Sequence, residues 1–96
     1  MAEVKLSEPE IESNLKDLSG WAREGIAIKK TFVRKGFVEA VEFVRQIVPI
    51  AEGMDHHPDV RIFAYKRVEV SISTHSAGAL TAKDFELAKK IDSTIS

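Results

Sequence analysis

The 96-residue sequence has no cysteine, three prolines, five glycines, a single tryptophan and a single tyrosine, and no excess of either charge. Without cysteine there is no disulfide framework, no thiolate metal centre and no cysteine nucleophile. Fourteen Lys and Arg against fifteen Asp and Glu leave a formal charge of −1. No net field therefore draws the chain to nucleic acid or to an anionic membrane. The longest stretch free of Asp, Glu, Lys and Arg is Val70–Ala82, and it is rich in Ser and Thr, so a spanning helix is not expected. The first eight residues lack the apolar segment of a signal peptide, which makes the cytoplasm the expected compartment. There is no repeat, low-complexity tract or Pro/Gly-rich linker, and no Gly-rich phosphate loop. What is present, 44% hydrophobic and 30% charged residues, is the content of one ordinary globular domain over residues 1–96.

Ser7-Glu8-Pro9-Glu10 forms an S-x-x-E capping box, and Ile11, Leu15 and Leu18 follow at helical spacing before Gly20. Trp21–Glu24, a turn at Glu24-Gly25, and a longer run carrying Ile26, Ile28 and Phe32 predict a hairpin. The basic pairs Lys29-Lys30 and Arg34-Lys35 read as solvated strand ends, with no aromatic interleaving to support base stacking. Phe37, Ala40, Val41, Val44, Ile47, Val48 and Ala51 predict a second helix with one buried stripe, its last turn kinked or loosened by Pro49. Val60–Tyr65, a turn at Lys66-Arg67, and a run in which Val68, Val70 and Ile72 alternate with Glu69, Ser71 and Ser73 predict a second strand pair. Alternation places Thr74 on the core face, and Ser73 and His75 on the other. Thr81 caps a last helix with Phe85, Ala88, Ile91 and Ile95 as its stripe. The expected fold is α+β, two-layer: a four-stranded antiparallel sheet with three helices packed on one face, in the order α-ββ-α-ββ-α.

All three histidines, His56, His57 and His75, fall within twenty residues. Imidazole exchanges protons near neutrality, so several around one pocket suit paired acid and base roles. A zinc site is disfavoured because vicinal imidazoles diverge and the H-x-x-x-H spacing is absent. A hydrolase triad of Ser71, Ser73 or Ser76 with His75 and Asp84 is weaker still, as no nucleophile elbow is present. Taken singly, each histidine is more simply a solvated or turn residue. Asp84 is explained by capping, Glu52 as a solvated helix end, and Trp21 as a core anchor.

As a set, Ala51-Glu52-Gly53-Met54-Asp55-His56-His57-Pro58, then Tyr65, Ser73-Thr74-His75 and Asp84, resemble the pterin-4a-carbinolamine dehydratases. Leu18-Ser19-Gly20-Trp21 and Phe37-x-x-Ala40-x-x-Phe43 resemble that family's N-terminal half. The resemblance covers nearly the whole chain. It implies dehydration of a 4a-hydroxytetrahydropterin to a quinonoid dihydropterin and water in tetrahydropterin recycling, with no metal and no cofactor. It further implies His56 and His75 as the acid/base pair, His57 against the pterin, and Glu52 and Asp55 tuning the imidazoles. Ser73, Thr74, Asp84 and Trp21 are implied as further pocket residues. One residue departs from the pattern. Six residues, Asp59–Ala64, stand between His-His-Pro and Tyr65 where the family usually has five, and the extra one must be absorbed in a turn or bulge. A homodimer or homotetramer is expected, since the family associates through sheet edges and helices and so small a sheet leaves edges unprotected. Two other functions fit the same resemblance: a protein-interaction module acting through the helix around Phe43, and a binder of a different pterin.

Overall fold

The computed structural model describes residues 4–94, in the order α1 (Glu8–Lys16), β1 (Ala22–Glu24), β2 (Ala27–Val33), α2 (Phe37–Met54), β3 (Asp59–Phe63), β4 (Arg67–Ile72) and α3 (Ala82–Ser93). The strands form one antiparallel sheet in the spatial order β1-β2-β4-β3. Helices lie over one face, giving the expected two-layer α+β arrangement.

Register explains which face is covered. Ile28, Val68, Val70 and Ile72 are fully buried, and Phe32 nearly so. Val70 stands between Lys30 and Val60, and Val68 between Phe32 and Ile62. Each full burial of such an aliphatic side chain contributes about 1.5–3 kcal/mol. The opposite face carries Lys29, Thr31, Arg61, Glu69 and Ser71, mostly polar, with Val33 and Phe63 flanking Arg67 at one end. Both capping boxes form: Ser7 closes the start of α1 with Glu10, and Thr81 closes the start of α3 with Asp84.

Several expectations are corrected. The first turn is Gly25-Ile26, with Gly25 at φ +62°, so Ile26 lies outside β2 and is exposed. The second turn is Ala64-Tyr65-Lys66, and Arg67 already belongs to β4. The additional residue causes no bulge, because β3 pairs with β4 without a break from Asp59 to Phe63. Instead Ala64 and Tyr65 adopt positive φ in the turn, a conformation that side-chain sterics disfavour.

Helix α2 continues past Pro49 to Met54, and its buried stripe is Ala40, Phe43, Ile47 and Ala51. Phe37, Val41 and Val48, expected in that stripe, are exposed. The helix carries apolar residues on two adjoining stripes, and the sheet covers only one. Phe43, expected to centre an interaction face, packs against Phe32 with ring centroids 4.8 Å apart. Leu18 follows the end of α1 and is half-buried against the core. In α3, Phe85, Ala88 and Ile91 are buried as expected. Ile95 lies outside the described residues.

Candidate active site

The end of α2 determines how two adjacent histidines separate. Asp55 takes a left-handed conformation, φ 50° and ψ 43°, which Asp tolerates better than most residues. Its N–H donates to Glu52 O at 3.2 Å and the His56 N–H donates to Ala51 O at 3.1 Å, the two bonds of a Schellman motif. The chain reverses, His56 turns into the protein, and His57 stays at the surface. After β4 the chain makes a second reversal, where Thr74 bridges Ala79 and leaves His75 and Ser76 on an exposed turn.

These two turns face one another across an open, polar hollow of about 330 Å³. All three imidazoles line it, together with Asp55, Ser73, Thr74, Ser76 and Lys83. Two imidazoles have carboxylate partners. His56 Nε2 lies 2.7 Å from Asp84 Oδ1, and both side chains are buried. His57 Nε2 lies 2.6 Å from Glu52 Oε2, and both are exposed. His75 is exposed. Among the described residues no cluster of His, Asp and Glu is arranged to hold a metal ion.

A smaller apolar groove of about 180 Å³ adjoins the hollow, between α2 and β3; His57 lines both, and Pro58 lines the groove. Glu52 belongs to that groove and reaches the site through His57.

The family model for pterin 4 alpha carbinolamine dehydratase matches residues 4–94. The chain belongs to the pterin-4a-carbinolamine dehydratase family. A Sulfolobus acidocaldarius protein, provisionally named pterin-4-alpha-carbinolamine dehydratase, is 55% identical over 89 residues, 93% of this chain and 97% of its own. A Roseiflexus protein with the same provisional name is 48% identical over 89 residues, 93% of this chain and 95% of its own. The crystal structure of a transcriptional coactivator/pterin dehydratase from Brucella melitensis superposes with a TM-score of 0.90 at 35% identity, covering 97% of this chain and all of that one. A pterin dehydratase-like RuBisCO assembly factor of the alpha-carboxysome shares the fold at 14% identity and a TM-score of 0.60, over 76% of this chain and 83% of that one.

Within this dehydratase-family fold the nine residues singled out in the sequence divide into three groups. His56, His57, His75, Asp55, Ser73 and Thr74 line the hollow. Glu52 and Asp84 stand behind His57 and His56. Trp21 is elsewhere: it is buried edge-on against Phe32, and its indole N–H donates to Asp92 Oδ2 at 3.0 Å. It anchors β1 to α3 rather than lining the hollow. Strict alternation placed Ser73 on the solvated side, but β4 ends at Ile72 and Ser73 is mostly covered. Asp84 pairs with His56 in addition to capping α3.

Ser76, Lys83 and Thr81 had no place in the set. Lys83 is the second residue of a capped helix, so only the spatial return of α3 to the hollow reveals it. Thr81 shows in the sequence as a cap, which conceals its further contact with Thr74.

Proposed function

We propose that the chain dehydrates a 4a-hydroxytetrahydropterin to a quinonoid dihydropterin and water, using its histidines as general acid and base. The observation that carries this reading is the convergence of three imidazoles on one open hollow, two of them backed by carboxylates. In this reaction the C4a–O bond breaks as its oxygen is protonated, the N5 proton is lost, and a C=N bond forms. Water leaves, and nothing is oxidised or reduced. Two positioned proton transfers suffice, each of the kind that contributes roughly 10²–10⁴-fold.

His56 and His75 form the acid/base pair in this reading. His57, held by Glu52, contacts the pterin, and Asp55 and Ser73 offer polar atoms to its ring. The open hollow and the absence, among the described residues, of any helix long and apolar enough to cross a membrane suit a diffusible small substrate met in the cytoplasm. The exposed apolar side chains Phe37, Val38, Val41 and Val48 on α2 and the unpaired edges of β1 and β3 support association into a homodimer or homotetramer.

The test is direct. Adding the purified chain to freshly generated 4a-hydroxytetrahydropterin is expected to accelerate the loss of its absorbance, and the double variant His56→Ala, His75→Ala to abolish that acceleration. Undiminished turnover in the double variant removes the mechanism. The exposed face of α2 also favours a second reading, a protein-interaction module. In that case Val41→Glu abolishes capture of a partner while the histidine variants leave it intact.

A further inference from the structure

Asp84 is fully buried, and its carboxylate has more partners than helix capping requires. Oδ2 accepts the Thr81 N–H at 2.8 Å, the bond that closes the capping box, and also the Thr74 hydroxyl at 2.8 Å. Oδ1 faces His56 Nε2. The Thr74 and Thr81 hydroxyls lie 2.8 Å apart, and both residues are almost wholly buried.

Counting protons gives this cluster a direction. Thr81 Oγ1 accepts the Lys83 N–H at the helix start, so its own proton must go elsewhere, and Thr74 Oγ1 is the acceptor beside it. Thr74 then spends its proton on Asp84 Oδ2. The reverse order would start from a proton on Asp84 Oδ2 and, among the described residues, leave the Thr81 hydroxyl proton buried with no acceptor, which is costly. An ionised Asp84 only accepts, so Nε2 of His56 must donate.

We propose that Thr74 and Thr81 form a hydroxyl relay that orients Asp84 and, through it, holds neutral His56 in the Nε2–H form. Nδ1 is then the ring atom left to take a proton from a ligand in the hollow. Thr74 and Thr81 are positioning residues, since the Thr74 hydroxyl already accepts from Thr81 and donates to Asp84. With Asp84 ionised the tautomer follows from the geometry, and its catalytic consequence rests on the dehydratase reading. In that reading His56 is the base that receives the N5 proton, and another group must protonate the departing oxygen.

The experiment is ¹⁵N-histidine long-range correlation NMR on the full chain, under conditions where His56 is neutral, with turnover measured in parallel. Wild type is expected to show His56 as Nε2–H. Asp84→Asn is expected to reverse it to Nδ1–H, because the amide can donate to Nε2. Thr74→Val is expected to give a mixture of tautomers with kcat about tenfold lower and KM within about twofold, whereas Thr74→Ser restores the single wild-type form. An Nδ1–H wild type, or a folded Thr74→Val with an unchanged tautomer, overturns the relay. Should the tautomer pattern appear while wild type shows no dehydration, the relay stands and the dehydratase reading fails.

Discussion

His56 and His57 are neighbours in sequence, and each holds a carboxylate at nearly the same distance, 2.7 Å to Asp84 and 2.6 Å to Glu52. Their surroundings are opposite. Side-chain exposure is 9% and 0% in the first pair, against 56% and 67% in the second. Equal distances therefore do not mean equal interactions. In the buried pair neither partner can turn to water, so each fixes the other, and loss of one leaves a polar group stranded. In the exposed pair water replaces either partner at little cost. The left-handed turn at Asp55 produces this division, sending one imidazole inward as a fixed group and leaving the next as an adjustable one.

The largest expected effect separates the two histidines in turnover. His56→Ala is expected to lower kcat by roughly 10²–10⁴-fold, the range of a positioned acid or base. On the proposed reading, in which His57 contacts the bound ring and transfers no proton, His57→Ala is expected to act chiefly on KM, by about tenfold or less. Steady-state kinetics on 4a-hydroxytetrahydropterin decides this, and equal losses in kcat would break the distinction.

Stability should divide in the same way. Asp84→Ala strands His56 Nε2, the Thr74 hydroxyl and the Thr81 N–H together, and is expected to cost about 3 kcal/mol or more. Glu52→Ala is expected to stay within about 0.5 kcal/mol. Urea unfolding measures both. A third comparison uses salt: under conditions where His57 is protonated, its coupling to Glu52 from a double-mutant cycle should shrink between low and about 0.5 M NaCl, and that between His56 and Asp84 should scarcely change.

Half of this contrast was readable from the chain. The histidine cluster, the strand alternation through Val68, Val70 and Ile72, and both capping boxes are local patterns, and local patterns are what a sequence displays. The partnership of His56 with Asp84 spans 28 positions and depends on where α3 returns to the sheet, which no periodicity encodes. For the same reason the capping of Asp84 was legible while its second role was not. Helix α2 shows another limit: Phe37, Val41 and Val48 are as apolar as Ala40, Phe43 and Ile47, and only the position of the sheet decides which stripe is buried. Trp21 follows from this too, since its role as an anchor depends on Asp92, 71 residues away.

The smallest expected effect extends the comparison to an exposed pair whose response to pH has a definite sign. Glu8 accepts hydrogen bonds from the Arg23 guanidinium, Nη2 donating to Oε2 at 3.0 Å, and this holds its carboxyl below the ordinary value of 4.5. A carboxyl with a lower value folded than unfolded binds its proton more readily in the unfolded chain. Its contribution is therefore fully present above pH 4.5 and lost as the pH falls through the folded value. The difference in urea midpoint between wild type and Glu8→Gln should accordingly be small at pH 7, begin to decline below pH 4.5, and vanish in stronger acid. Because both groups face solvent, added salt should reduce the difference at pH 7 as well. A difference that grew toward acid, or that resisted salt, would mean that exposure does not govern these pairs, and the contrast between His57 and His56 would lose its physical basis.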